Sequence, residues 1–244
     1  MTPIIQVMQA TQVFGTRTIF KDVSFDIMPA EVFVILGGSG CGKSTLMNQM
    51  IGQLPPTSGD IRIAGYSVTK EREEVRRQIG VMFQSGALFG SMTLQDNVSL
   101  ALNVFTDLPR SACNEIAQIK LGLVGLADAA GRLPSEISGG MVKRAAIARA
   151  LAMDPPIVML DEPSAGLDPI TSAGIDKLIL NLRDTLGTTC VVITHELASI
   201  MAIADRCAML DGKAKGLIAL GDPKELKKDA TNPTIRAFFN RETL

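Results

Sequence analysis

Short, almost wholly apolar runs recur along the chain: Val32-Phe33-Val34-Ile35-Leu36, Ile79-Gly80-Val81-Met82-Phe83, Ile157-Val158-Met159-Leu160 and Thr189-Cys190-Val191-Val192-Ile193. Each is the length of a strand and lacks polar alternation, which is the pattern of parallel strands covered on both faces. Gln6-Val7-Met8 and Val23-Ser24-Phe25-Asp26-Ile27 also fit strands, and Ile61-Arg62-Ile63 between Gly59 and Gly65 predicts a hairpin. Helical spacing takes over from Thr93 to Leu133, opened by the capping-box-like Thr93-Leu94-Gln95-Asp96 and broken at Pro109 and before Pro134. A second helix is predicted over Met141 to Leu151, which lacks Gly and Pro. A third starts at the N-cap Asp168 with Pro169 next, repeats Ile175, Leu178, Ile179, Leu182 and Leu186 on one face, and stops at Gly187. Asp222-Pro223 and Asn232-Pro233 begin two more, the last carrying Ile235, Phe238 and Phe239. Alternating strand and helix signals predict an α/β fold, with an N-terminal antiparallel β subdomain and an inserted helical subdomain.

The run ending at Leu36 leads directly into Gly37-Gly38-Ser39-Gly40-Cys41-Gly42-Lys43-Ser44-Thr45, and a helix is expected from about Ser44. Strand, Gly-x-x-x-x-Gly-Lys-Ser and helix in that order are the context of a phosphate-binding loop, so the chain is expected to bind a nucleoside triphosphate. Glycines let successive N–H groups turn toward phosphate oxygens, the helix adds its positive end, and Lys43 adds a point charge. Ser44 is then placed for Mg2+. Asp161-Glu162 closes another buried strand, at the edge where open α/β sheets bind ligands. Asp161 fits the metal-holding acid, and Glu162, one residue on, fits a base that polarises the attacking water. Ser138-Gly139-Gly140 opens a helix, and this string by itself reads sooner as a plain cap with a flexible glycine pair than as a helix end facing an anion.

Composition narrows the setting. The chain has 244 residues, 46% of them hydrophobic, with 24 Lys plus Arg against 25 Asp plus Glu. That charge balance gives no bulk attraction to nucleic acid, and no nucleic-acid partner is expected. Met1 to Thr16 contains no Lys or Arg and no segment reaches the roughly 18 apolar residues of a membrane span, so neither a signal peptide nor a transmembrane segment is expected. Cys41, Cys113, Cys190 and Cys207 are scattered, which fits reduced, packed thiols; Cys41, inside the loop, is expected to be open to thiol reagents.

Taken in order, Gln84, Ile137-Ser138-Gly139-Gly140-Met141, Asp161-Glu162, Ser164-Ala165-Gly166-Leu167-Asp168 and Thr194-His195-Glu196 closely resemble an ABC transporter ATPase over nearly the whole chain. The resemblance implies one domain over 1–244 with a RecA-like P-loop NTPase core. Residues 1–84 and 157–221 would form the core and β subdomain, 85–156 the helical subdomain, and 222–244 a C-terminal helical tail. It implies ATP and Mg2+ as ligands and a homodimer in which Ser138, Gly139 and Gly140 of one copy face the loop of the other. It further implies that His195 contacts the γ-phosphate, Gln84 senses the metal and the water, Asp168 couples the two sites, and Phe14 stacks on adenine. Ordinary sheet packing is the other reading of Phe14.

Met141 stands where the family's signature usually has Gln. Transport ATPases of the Mla- and Mce-associated phospholipid systems resemble this chain there, in Leu36 to Cys41, in Phe83-Gln84-Ser85-Gly86-Ala87-Leu88-Phe89 and in Asp168-Pro169-Ile170-Thr171. That implies a subunit on the cytoplasmic face of the inner membrane, working with an integral-membrane permease and with Mce-domain and STAS-domain partners. Ser85 to Met92 would receive the permease, through Leu88, Phe89 and Met92, or pack into the core. The chief rival is an ABC importer ATPase serving an amino acid or another small solute. A P-loop kinase would need neither Ser138-Gly139-Gly140 nor Thr194-His195.

Overall fold

The computed structural model describes residues 2–229 and 231–242. The chain opens with a hairpin of β1 (Ile5–Phe14) and β2 (Arg17–Ile27), turned at Gly15, whose φ of +58° suits a residue without Cβ. Next come β3 (Val32–Gly37), the phosphate-loop segment and α1 (Lys43–Met50). The hairpin of β4 (Ser58–Ile63) and β5 (Tyr66–Ser67) joins β1, completing a four-stranded antiparallel sheet in the order β2-β1-β4-β5. A short α2 (Arg72–Arg77), in a stretch where the sequence pattern names no element, leads into β6 (Ile79–Met82). The helical insertion holds α3 (Leu94–Phe105), α4 (Arg110–Leu123) and α5 (Gly139–Ala150). The chain then runs through β7 (Ile157–Asp161), α6 (Pro169–Leu186), β8 (Thr189–Ile193), α7 (Leu197–Ile203), β9 (Arg206–Asp211) and β10 (Gly216–Gly221). It closes with α8 (Pro223–Asp229) and α9 (Pro233–Asn240). Among the described residues no helix is long and apolar enough to cross a membrane.

The second sheet has six strands in the order β10-β9-β3-β8-β7-β6, parallel except for β10. Successive residues of each central strand feed two different cores, which explains the continuous apolar runs. Val32, Val34 and Leu36 pack with Val158, Leu160, Cys190 and Val192 against the helices. Phe33, Ile35, Ile157, Met159, Val191 and Ile193 pack on the other side, with α1 and the antiparallel sheet. Gly80 sits where α5 ends on β6, and a Cβ there would lie 2.0 Å from the carbonyl oxygen of Ala150.

The caps follow the sequence. Thr93 accepts from the amide of Asp96, Asp168 from those of Ile170 and Thr171, and Asn232 from that of Thr234. In the first, Asp96 answers with its own carboxylate to the Thr93 hydroxyl, at 2.6 Å, not to the Thr93 amide. Leu186 departs from its expected face: it is 48% exposed, because the last turn of α6 runs beyond the core that buries Ile175, Ile179 and Leu182.

Candidate active site

The carboxyl ends of β3, β8 and β7 lie in register, with Ile35 opposite Ile193 and Ile193 opposite Asp161. The phosphate loop and the acidic pair therefore meet at one edge of the sheet. Three loop glycines occupy left-handed or otherwise glycine-favouring backbone, with φ of +145° at Gly37, +75° at Gly40 and +105° at Gly42. A Cβ at Gly37 would come within 2.2 Å of the Leu210 carbonyl oxygen, and one at Gly42 within 2.8 Å of Ile19 and Phe20. The loop is thus pressed between β9 and the β1–β2 hairpin. No side chain caps α1, so its first amides face outward with the loop, the arrangement that receives an anion.

Lys43 folds back along the loop, its Nζ donating to the carbonyls of Gly37 at 2.8 Å and Gly38 at 3.2 Å. Gly38, Ser39, Gly40 and Ser44 are exposed, and Thr45 is half-buried. Cys41 corrects its expected reactivity: only 2% of it is exposed, and burial raises its thiol pKa. Burial likewise pushes Cys190 and Cys207 up to about 12.

Burial also raises the pKa of Asp161, and the neighbouring Glu162 adds to the rise, while Lys43 and Lys143 counter it. Two carboxylates crowded at a strand end favour a cation between them and the loop. Among the described residues no cluster of three His, Cys, Asp or Glu side chains forms a self-contained metal site. That donor set fits Mg2+, which is commonly held by one or two protein oxygens and completed by substrate phosphates.

Glu162 is 92% buried by residue surface, at 8% exposure, and adopts φ +47°, a left-handed conformation that costs a non-glycine residue about 1–3 kcal/mol. Its amide donates to the Ile193 carbonyl at 2.8 Å. Nδ1 of His195 lies 2.7 Å from its Oε1, while the imidazole remains largely open to solvent. Next to His195, Glu196 accepts from the Ser164 hydroxyl at 3.0 Å, joining the segment after β7 to the segment after β8.

Gln84 follows β6 and lines a shallow cleft with Gly139, Val142, Lys143 and Gly166. Ser138 caps α5, accepting weakly from the Met141 amide at 3.4 Å. The start of α5 rests on the start of α6, where Cβ atoms at Gly139 and Gly140 would meet Leu167 at 3.8 Å and Thr171 at 2.5 Å. The exposed Asp168 carboxylate accepts from Ile170, from Thr171 and from the Thr171 hydroxyl, and the last of these contributes most to lowering its pKa. Among the described residues no hydrogen bond joins Ser138, Gly139, Gly140 or Asp168 to the phosphate loop of the same chain. Phe14 ends β1 with 48% of its surface exposed, so it stands out of the sheet and not in its core.

Between the insertion and the parallel sheet lies a groove lined by Phe89, Leu100, Val104, Phe105, Arg149 and Met153. The Ser85 to Met92 segment divides here: Leu88 turns into the helical core, whereas Phe89 is 51% exposed at the groove. Lys143 is the site residue that motif reading missed. It sits in a helix of buried alanines, and no motif or spacing in the sequence marked it.

The family model described as ABC transporter matches residues 20–165. The chain is similar to the probable ribonucleotide transport ATP-binding protein mkl of Mycobacterium leprae, 41% identical over 240 residues, which are 97% of this chain and 68% of the relative. It is similar to the intermembrane phospholipid transport system ATP-binding protein MlaF of Escherichia coli, 39% identical over 230 residues, which are 93% of this chain and 84% of the relative. Among solved structures it resembles cbiO1 from Clostridium perfringens, part of the ABC transporter complex cbiONQ, with TM-score 0.85, 30% identity and coverage of 94% and 92% of the two chains. It also resembles a dimeric post-hydrolysis state of an ATP-binding cassette bound to ADP and Pi, with TM-score 0.80, 29% identity and coverage of 89% and 98%.

Proposed function

The chain belongs to the ABC transporter ATP-binding family, and from that premise we propose that it hydrolyses ATP between two of its own copies to move phospholipid between membranes. The 2.7 Å contact of Glu162 with His195, beside the phosphate loop, carries the chemical part of this reading. The likeness to MlaF, together with Met141 after the Ser138-Gly139-Gly140 signature, carries the cargo.

Phosphoryl transfer asks a protein mainly for positioning and charge neutralisation. Loop amides, Lys43 and Thr45 hold the triphosphate, and Phe14 stacks on the adenine. Ser44, Gln84 and Asp161 would hold Mg2+, which would neutralise charge on the phosphates. Glu162 takes the proton of the attacking water, and its burial keeps the carboxylate in one orientation. His195 lies against that carboxylate through Nδ1 and is the residue that contacts the γ-phosphate. Ser138, Gly139 and Gly140 serve the partner copy's nucleotide, and Asp168 links the two sites. The uncapped loop and the separate, exposed signature end suit such sharing, since each supplies one wall of a pocket.

The exposed apolar groove at Phe89, Val104 and Phe105 supports docking of a permease there, with the chain peripheral at the cytoplasmic face of the membrane. Mce-domain and STAS-domain proteins complete the assembly. Cargo is chosen by those partners, and the mycobacterial relatives named for ribonucleotide transport mark the competing reading. Purification of the chain with its permease decides between them. Phospholipid in the complex and lipid-stimulated ATPase are expected; a nucleoside or small solute in its place would overturn the cargo.

A further inference from the structure

Lys143 is a buried cation to which the motifs give no role. It lies on α5, the helix capped by Ser138, and is 8% exposed. Its Nζ donates to the backbone carbonyl of Gln84 and, at 3.3 Å, to that of Glu162. One ammonium therefore spans the segment leaving β6 and the segment leaving β7. Arg149, further along the same helix, donates to the carbonyls of Gly86 at 3.0 Å and Ala87 at 2.5 Å. Residues 84–87 are thus held by α5 at both ends.

Burying an ammonium is costly unless hydrogen bonds and charge compensate it. Burial lowers the pKa of Lys143, and the nearby carboxylates of Asp161 and Glu162 act against that. A residue serving only to pack α5 would not need a charge at this depth. The two carbonyls it reaches belong to the residues assigned to the metal, the water and the base. Glu162 is the one already held in left-handed backbone.

We propose that Lys143 is a positioning residue whose ammonium bridges the Gln84 and Glu162 carbonyls, setting the spacing of their side chains and tying it to the position of the signature helix. The proposal rests on the roles given above to Gln84 and Glu162. A movement of α5, whose first residues face the partner's nucleotide, then shifts the catalytic geometry of its own chain.

Lys143→Met keeps the aliphatic stem and removes the donor. Displacements of about 1 Å in a site of this kind can cost two orders of magnitude, so kcat should fall about ten- to a hundredfold. ATP affinity should stay within about twofold, because no loop contact is touched. Hydrogen exchange should quicken together at residues 84–87 and 162–165 but not in α1. Lys143→Arg, which keeps a donor able to reach both carbonyls, should restore most of kcat. Lys143→Gln is shorter, leaves one carbonyl unserved and should lower kcat several-fold; it serves if the methionine variant does not fold. Wild-type kcat in a folded methionine or glutamine variant, or an arginine variant as impaired as methionine, would overturn the proposal. Glu162→Gln run alongside separates the failures: a fully active Glu162→Gln sinks the assignment of the base, whereas an inactive one beside an active Lys143→Met sinks only the bridge.

Discussion

His195 presents Nδ1 to Oε1 of Glu162 at 2.7 Å, across the carboxyl ends of two neighbouring parallel strands. The contact orients a buried carboxylate toward the edge of the sheet where the phosphate loop also opens. Glu162→Gln preserves the shape of that contact but removes the proton acceptor. Steady-state turnover should drop about 100- to 10,000-fold, the usual worth of a general base. Nucleotide binding should persist, and sizing with ATP should reveal an accumulated dimer. Turnover near wild type would reject the base.

Lys43 donates to the Gly37 and Gly38 carbonyls, which keeps its charge over the loop where the proposed function seats a phosphate. In Lys43→Ala the loss of one charge-assisted contact, worth about 1.5–3 kcal/mol, should weaken ATP binding about ten- to a hundredfold by calorimetry. Unchanged affinity would show that the loop binds in another way.

Sharing of the pocket predicts complementation. Ser138→Arg chains and Glu162→Gln chains should each be nearly inactive alone. Mixed, they should recover up to about a quarter of wild-type turnover, since random pairing makes half of the dimers mixed and each mixed dimer retains one intact seam. A mixture no better than its parents would mean that each pocket is built from a single copy.

Gly80 has no room for a methyl group, because the nearest obstacle is the Ala150 backbone, which cannot rotate aside. Gly80→Ala should cost about 1–3 kcal/mol, a Tm loss of about 2–12 °C for a chain of this size. A Tm equal to wild type would mean that β6 and α5 are not packed this closely.

Asp176 on α6 is nearly buried; one of its oxygens accepts from Ser199 at 2.9 Å, and the other has no partner among the described residues. Burial raises its pKa, the Ser199 bond partly offsets the rise, and Glu196 adds to it. A carboxyl whose folded pKa lies above the unfolded one binds the proton more tightly when folded, so stability is lost as pH climbs from the ordinary carboxylate range through the raised value. Asp176→Asn removes that loss. Its Tm should exceed wild type by about 2–4 °C at pH 8, with the gap closing toward pH 4. A pH-independent gap would assign the effect to packing.

The phosphate loop, the acidic strand end, the capped helices and the α/β class were legible in the sequence because each is local. A glycine string after an apolar run, or Asp168-Pro169 before a helical repeat, carries its conformation in a few adjacent residues. The short elements α2, α7, β9 and β10 escaped the pattern, since their positions are settled by neighbours such as β3, which pairs with β9. Tertiary structure alone decided that Leu88 turns inward while Phe89 stays out, that Cys41 is shielded, and that Lys143 reaches two carbonyls far apart in the chain. The periodicity of a helix says which residues share a face, but what that face meets depends on the packing of elements separated by dozens of residues.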